Sequence, residues 1–429
     1  MIKNKFIKNT IILAIGSLIT KALGFVIRII FTRVIGKDGI NLYSLIMPTY
    51  MLFITIATCG LPLAISALTA RGKTLFRKLF INITPFIIII SIILMILVYY
   101  LSPIISIKLL KNNDAELIIR SLIFIIPFVT ISSILRGYYF GKEKMMVYNK
   151  ASIIEQLIRL LIVLIVLPKV IKYGTTYALF IFLVLGAIPE ISSIIIFLKN
   201  APKTSFRFEK PIFNLDITKE ILNLGIPSTM GKMIGSLLYF IEPIIIIFFL
   251  SKAGYSNSFI LNEYGTFNAY VIPLLMIPSF IVMSLSTALI PEISRAYVKR
   301  DYNYIKRKVY KSLLLCLILG LVSNMFVFLF SKELLSLIYN TNEGIIYIKV
   351  LAPVFILFNL EGPLSSALSS IDKPKEALKA SFIGALIKTI SIILLASFKI
   401  GIYPLIIGEI LSIIITTMLS LYYFKKFTC

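Results

Sequence analysis

The strongest constraint on this chain is a succession of apolar runs, each long enough to cross a bilayer. An α-helix rises about 1.5 Å per residue, so about 20 apolar residues span a hydrocarbon core of roughly 30 Å. About twelve such runs follow one another along the chain. Only 15% of the residues are charged, whereas soluble domains carry about 25%. The sequence therefore predicts an all-α integral membrane protein with about twelve transmembrane helices.

Short motifs recur in the two halves at one interval, 229 residues. Lys150-Ala151-Ser152 reappears as Lys379-Ala380-Ser381, and Pro62 reappears as Pro291, each proline being followed closely by Ile-Ser. Chance matches in an isoleucine-rich chain are the alternative. A true repeat predicts two six-helix bundles related by pseudo-two-fold symmetry, an architecture suited to alternating access. The predicted divisions are residues 1–200 for the first bundle, 201–218 for a cytoplasmic linker and 219–429 for the second bundle.

The basic residues are distributed unequally between the two sides of the predicted membrane. The side that carries the N-terminus has 27 of the 44 Lys and Arg residues, and the other side has 10. Basic loops stay in the cytoplasm, so both termini are predicted to be cytoplasmic. The net charge of +25 then reflects topology and attraction to anionic membrane lipids, and no nucleic-acid partner is expected. The first apolar run has no cleavage site behind it and is expected to remain as the first span.

Several kinds of chemistry are disfavoured by residue content. The chain has no histidine, and its three cysteines, Cys59, Cys316 and Cys429, have no metal-binding spacing. A histidine base or ligand is therefore impossible. No catalytic residue, metal or cofactor is predicted, and the chain is not expected to be an enzyme.

Seven basic side chains lie within the apolar runs, where a cation costs roughly 3 kcal/mol on insertion scales. Arg33 and Arg136 lie near span ends, where a basic side chain can instead extend to the headgroups. A polar cavity that receives an anionic substrate is the other explanation for basic side chains within a span. The candidate substrate-binding residues are Lys21, Arg28, Arg136, Arg159, Lys232 and Lys388.

Helical spacing places these residues on polar stripes. In the first span Ser17, Lys21, Gly24 and Arg28 share one face of an otherwise apolar helix. The fifth span has a similar stripe that ends at Arg159, and the seventh has one around Lys232. Glu155 precedes Arg159 by four residues, the favourable orientation for a helical ion pair, so a structural charge pair is the alternative to substrate binding there.

Four segments resemble a known family. They are residues 136–159, which begin Arg-Gly-Tyr-Tyr-Phe-Gly, the first-helix segment 21–28, the Gly-Leu-Pro-Leu-Ala-Ile-Ser segment 60–66 and the Gly-Ile-Pro segment 225–227. They are similar to the stage V sporulation protein B family of polysaccharide transporters, in the multidrug/oligosaccharidyl-lipid/polysaccharide (MOP) exporter superfamily. MurJ-type lipid II flippases belong to the same superfamily. Members commonly have fourteen helices, and this chain ends after about twelve, so a lipid-tail groove built by two further helices is not expected.

The resemblance implies a flippase for undecaprenyl-pyrophosphate-linked saccharides, lipid II or another polysaccharide precursor, in the bacterial cytoplasmic membrane. The expected partners are this lipid-linked oligosaccharide pyrophosphate and membrane lipids, and the expected state is a monomer. The residues leave open the saccharide, a role in sporulation, and whether a coupling ion drives the cycle. The first alternative is a multidrug/cation antiporter of the MATE type, for which Glu242 and Glu361 are the candidate carboxylates. A membrane glycosyltransferase or polymerase is a weaker alternative, because no connection exceeds about twenty residues.

Overall fold

The computed structural model describes the backbone of residues 2–70, 76–202 and 215–428, and all its regular elements in these ranges are helical. The predicted linker, residues 201–218, lies largely outside the described ranges. Three π-helical segments interrupt the α-helices, Ile104–Leu109, Ile162–Val166 and Phe267–Val271. The α-helices are α1 (Ile2–Thr58), α2 (Leu61–Ala70), α3 (Phe76–Pro103), α4 (Asp114–Arg120), α5 (Leu122–Gly141), α6 (Met145–Leu161), α7 (Leu167–Val170), α8 (Thr175–Leu185), α9 (Ala187–Lys199), α10 (Leu215–Lys252), α11 (Asn257–Thr266), α12 (Ile272–Leu275), α13 (Ser279–Val298), α14 (Tyr302–Leu329), α15 (Ser331–Tyr339), α16 (Ile345–Ser370), α17 (Pro374–Leu395) and α18 (Tyr403–Thr428).

The number of membrane spans follows from helix length. Among the described residues, 10 continuous helical stretches are long and apolar enough to cross a membrane, or 11 if the bent pair Asn257–Leu275 and Ser279–Val298 is one span. The first stretch, Ile15–Ala70, has 56 residues, about 84 Å of helix and far more than one crossing. It is kinked at Gly36, where φ is 74°, so it supplies two spans. The predicted all-α membrane protein with about twelve spans is confirmed.

The chain divides into two compact units. Unit 1 comprises Met1–Gly39 and Ile46–Phe240, and unit 2 comprises Ile40–Leu45 and Ile241–Cys429. Each unit has its own apolar core among the described residues. In unit 1 the side chains of α2, α5 and α9 form the centre of the core, with Leu68, Tyr139 and Phe197 fully buried. In unit 2, α14, α16 and α18 supply Cys316, Leu364 and Phe424.

Two glycines bring α2 and α5 into close contact within unit 1. A Cβ atom on Gly137 would lie 2.6 Å from the carbonyl oxygen of Pro62, and one on Gly141 would lie 2.5 Å from that of Ser66. Glycines four residues apart allow membrane helices to pack backbone against backbone. The segments 136–141 and 60–66, which carry the family resemblance, are therefore the two sides of one helix contact.

Unit 2 has a comparable contact between α13 and α16. The hydroxyl of Ser294 donates a hydrogen bond to the carbonyl oxygen of Ser370 at 3.5 Å. Ser370 lies 229 residues after Gly141, and Ser294 lies one residue short of that interval after Ser66. Helix α2 thus packs against α5 in unit 1, and α13 packs against α16 in unit 2.

Candidate functional site

Unit 1 contains a cluster of four charged side chains from three helices, here called the N-terminal charge centre. Arg136 comes from α5, Glu155 and Arg159 from α6, and Glu190 from α9. These helices pack against one another, which brings charges from distant parts of the sequence together. Two arginines and two glutamates give a formally neutral cluster, so no charge stands uncompensated in the apolar surroundings.

Arg136 is held by both carboxylates. Its guanidinium forms an ion pair with Glu155, and its Nη2 lies 3.6 Å from Glu190 Oε2. Ser132, one turn earlier on α5, donates a hydrogen bond to Glu190, and Arg136 Nη1 donates one to Ser152 Oγ at 3.4 Å. Arg136 therefore bridges the two carboxylates and holds them in place.

Arg159 is held much less completely. Its Nη2 lies 3.4 Å from Glu155 Oε1, and 36% of its side-chain surface is exposed. Its Nε atom is buried and has no hydrogen-bond partner among the described residues. A guanidinium offers five N–H donors in a rigid fork, so Arg159 retains donors that an incoming anion could use.

One residue of the polar stripe of α1, Gly24, lies beside α6 near this cluster. A Cβ atom on Gly24 would lie 4.0 Å from Gln156 Oε1. Lys21 is one turn before Gly24 on α1 and half-buried, and Arg28 is one turn after it and exposed. Gln156 in turn precedes Arg159 by one turn. One residue of each stripe predicted from helical spacing, Gly24 and Gln156, thus comes within 4.0 Å of the other in unit 1.

Unit 2 contains a second cluster, here called the C-terminal charge centre, which consists of Glu242, Glu361, Lys388 and Glu409. Lys388 Nζ of α17 lies 2.6 Å from Glu242 Oε2 of α10 and 2.6 Å from Glu409 Oε2 of α18. Tyr264 donates a hydrogen bond to Glu242 Oε1 at 3.3 Å. The lysine is thus enclosed by two carboxylates and is not exposed as a free cation.

The close packing of α17 and α18 sets the position of Lys388. A Cβ atom on Gly408 would lie 3.0 Å from the carbonyl oxygen of Lys388, so the glycine permits the close approach that brings Glu409 to the ammonium group. Glu361 of α16 is within electrostatic range of Glu409 and makes no hydrogen bond or ion pair with the described residues. This cluster formally holds three carboxylates for one lysine, a surplus of two negative charges.

The structure separates the predicted site residues into different environments. Arg136, Glu155 and Arg159 lie together in unit 1. By helical spacing, Lys21 and Arg28 share the face of α1 that carries Gly24. Lys388 lies between two carboxylates in unit 2. Lys232 is exposed on α10, and Arg33 is exposed near the end of the first span.

Sequence reasoning missed two members of the charge centres, Glu190 and Glu409. Each is the single carboxylate of its helix, α9 or α18, and each belongs to the last span of its half. The sequence did contain a signal for both, because a single carboxylate within an apolar span indicates a charged partner or a functional site. The interval between them is ten residues shorter than 229, so a search at the repeat interval does not pair them.

Comparison with known proteins gives consistent results. The family model described as "Polysaccharide biosynthesis protein" matches residues 6–297, and the MatE model matches residues 267–394. Stage V sporulation protein B of Bacillus subtilis is 31% identical over 434 aligned residues, which cover 98% of this chain and 83% of that protein. The lipid II flippase MurJ of the same organism is 23% identical, with coverage of 90% and 76%.

Solved structures share the fold. An inward-facing multidrug resistance MATE family transporter of the MOP superfamily superposes with a TM-score of 0.75 at 13% identity, covering 98% of both chains. An outward-facing structure of such a transporter gives a TM-score of 0.63 at 15% identity, covering 98% of this chain and 95% of that one. Identities this low show the fold alone. Together with the sequence relatives, the comparisons show a membrane transporter and not an enzyme.

Proposed function

Because the chain belongs to the polysaccharide biosynthesis protein family, within the MOP superfamily, we propose that it is a flippase for saccharides linked to a lipid pyrophosphate. In this proposal it moves them across the cytoplasmic membrane by alternating access. The observation that carries the proposal is the state of Arg159. Its side chain is 36% exposed, its guanidinium has one carboxylate partner, and its buried Nε atom has no partner among the described residues.

A pyrophosphate suits this arrangement chemically. It concentrates negative charge on oxygens that accept hydrogen bonds and donate none, and one arginine can bind two of these oxygens at once. In surroundings of lowered dielectric constant this attraction is stronger than in water. Lys21 and Arg28 on the facing stripe of α1 would add positive charge along the same interface, whereas Glu155, fixed by Arg136, would orient Arg159.

The remaining candidates have weaker support. The ammonium group of Lys388 already has two carboxylate partners at 2.6 Å, Glu242 and Glu409, and its side chain is only 18% exposed. Arg136 is similarly engaged, so its proposed role is to position Glu155. Lys232 is exposed and could contact a passing headgroup. The proposal also includes cytoplasmic termini, a monomeric protein and lipid II as one possible cargo.

The test is a flipping assay in proteoliposomes with a fluorescent undecaprenyl-pyrophosphate sugar, in which exposure to the opposite leaflet is measured by chemical quenching. We expect Arg159→Gln to reduce the rate strongly, since it removes the positive charge and the fork of donors. Arg159→Lys should restore part of the rate because the charge returns without bidentate geometry.

Arg120 offers a matched control for this experiment. It also pairs with a glutamate four residues earlier, Glu116, at 2.6 Å, and 37% of its side chain is exposed. Arg120→Gln should therefore remove a similar ion pair without affecting flipping. A normal rate in Arg159→Gln, or equal losses in Arg159→Gln and Arg120→Gln at equal protein insertion, would contradict the proposal.

A second candidate function, multidrug/cation antiport, is favoured by the C-terminal charge centre. Its surplus of two negative charges would attract a cation, and Glu361 makes no ion pair with the described residues. The same proteoliposomes can be loaded with an organic cation such as ethidium and given a proton or sodium gradient. Gradient-driven ethidium efflux that is lost in Glu361→Gln, without flipping of the fluorescent lipid, would support antiport over the flippase proposal.

A further inference from the structure

A groove runs between α1 and α6 in unit 1, and its lining residues do not include those of the N-terminal charge centre. It has a volume of about 540 Å³ and is almost entirely apolar, with Ile15 and Ile19 on one side and Met146 and Ile153 on the other. This volume lies within the range of about 300–1,000 Å³ that is usual for small-molecule sites. Ile15, Ile19 and Met146 are exposed, so the groove opens outward.

A close helix contact fixes the shape of this α1–α6 groove. Asn149 Nδ2 donates a hydrogen bond to the carbonyl oxygen of Ile12 at 2.5 Å. A Cβ atom on Gly16 would lie only 2.1 Å from Asn149 Cγ. The two helices therefore touch at the floor of the groove, and its walls are parts of regular helices. Such a cleft is a preformed feature of the fold.

The depth of the groove corresponds to one leaflet. Its lining runs from Ile12 to Ile19 on α1 and from Met146 to Ile154 on α6, which is about 10–12 Å of helix on each side. Half of a bilayer core is about 15 Å thick. An occupant that lies along both helices would therefore extend from the headgroup level through most of one leaflet, as a single acyl chain does.

The charge at one end of the groove indicates the headgroup. Lys150 lines the groove and is exposed, and Lys142 and Lys144 are exposed in the turn that precedes α6. All three lie at the membrane face where α6 begins. Basic side chains beside a cleft between membrane helices, at headgroup depth, are suited to an anionic phosphate.

We propose that the α1–α6 groove binds one acyl chain of an anionic phospholipid of this leaflet, with its phosphate at Lys150. The volume and the one-leaflet depth fit a phospholipid chain better than the much longer polyprenyl chain of the transported lipid. The bound chain stabilises the contact between α1 and α6 one to two turns before Gly24 meets Gln156. The site does not depend on the identity of the cargo.

The absence of tryptophan from the sequence allows a direct test. Met146→Trp places a single fluorophore at the mouth of the groove, where the native side chain is 69% exposed. The variant is reconstituted in phosphatidylcholine vesicles that contain a minor fraction of phosphatidylglycerol brominated on one acyl chain. In the mirror experiment, the bromine is on the phosphatidylcholine and the lipid composition is unchanged.

We expect quenching to show a preference for phosphatidylglycerol of about fivefold, the effect of about one lysine near a phosphate. The preference should disappear in Met146→Trp combined with Lys150→Gln. The preference should persist in Met146→Trp combined with Lys199→Gln. This control removes another exposed lysine near the same membrane face.

Equal quenching of the Met146→Trp variant by the two brominated lipids, or a preference that survives Lys150→Gln, would overturn the proposal in favour of unspecific boundary lipid. Added undecaprenyl pyrophosphate should not relieve the quenching. If it did, the groove would hold the polyprenyl chain and the assigned occupant would be wrong. Native mass spectrometry without the tryptophan gives an independent result. Phosphatidylglycerol should remain bound to the unmodified chain and should be lost from the single variant Lys150→Gln.

Discussion

Replacing Lys388 by methionine leaves Glu242 and Glu409 without the cation between them. Both carboxylates lie 2.6 Å from the ammonium group, and the side chains of Lys388, Glu242 and Glu409 are only 18%, 8% and 19% exposed. Methionine has a similar length and fills similar space, so the change is mainly electrostatic. The remaining side chains are then two buried carboxylates that repel each other.

The expected cost is large because burial amplifies it. Removing one partner of a buried ion pair typically destabilises a protein by about 3–5 kcal/mol, because the charge left behind is neither paired nor hydrated. Here one substitution breaks two pairs. Tyr264 can compensate Glu242 only in part, because it offers one hydrogen bond at 3.3 Å. We therefore expect a loss in the upper part of that range, about 4–5 kcal/mol.

The assay is thermal unfolding in detergent with a thiol-reactive fluorophore. Cys316 is fully buried in the core of unit 2, so its reaction reports the opening of the unit that contains Lys388. Lys379→Met on the same helix is the control. Lys379 pairs with Glu376 at 3.2 Å but is 60% exposed, and such surface pairs contribute less than about 1 kcal/mol.

A rescue experiment separates the electrostatic explanation from a packing defect. When Glu242→Gln and Glu409→Gln are added to Lys388→Met, the two carboxylates that faced the ammonium group are replaced by neutral amides and most of the lost stability should return. An unfolding temperature for Lys388→Met equal to that of Lys379→Met would refute the argument that the two carboxylates require the lysine. So would a triple variant that is no more stable than Lys388→Met.

Three further predictions address packing, topology and transport. Gly141→Leu should sharply reduce the yield of folded protein because its Cβ would collide with the backbone of α2 at 2.5 Å, whereas Gly235→Leu, with nothing within 4 Å, should not. Single cysteines at exposed Asn303 and Lys426, in a background without native cysteines, should both react with an impermeant maleimide from the cytoplasmic side. Reaction from opposite sides would contradict an even number of spans between the two positions. Arg28→Ala should slow flipping with unchanged insertion, and Arg28→Lys should restore part of the rate; a normal rate in Arg28→Ala would exclude this residue from the site.

The sequence by itself determined the class of the protein. The length of the apolar runs predicts helices that cross a membrane. Irregular chain or an open sheet edge would leave backbone N–H and C=O groups without hydrogen bonds in hydrocarbon, which is too costly. The helical period also predicted which side chains share a face, as for Lys21 and Arg28 on α1. Glu155 and Arg159, four residues apart, were within reach of each other for the same reason.

The periodicity of one helix does not reveal which other helix it faces. Arg136 and Lys388 were predicted as cations directed at a substrate, and the tertiary structure places carboxylates from other helices beside each of them. Similarly, Gly137 and Gly141 stood out only as part of a family signature until their contact with α2 gave them a packing role.

The sequence therefore determined a membrane protein of about twelve helices with cations on polar faces, through helix geometry and the cost of burying charge. Only the tertiary structure decided which of these cations are compensated. Compensation depends on Glu155 and Glu242 and also on Glu190 and Glu409, single carboxylates that reach the clusters through the packing of α9 and α18. Arg159 keeps donors to spare because its helix supplies one carboxylate and the neighbouring helices direct theirs mainly to Arg136.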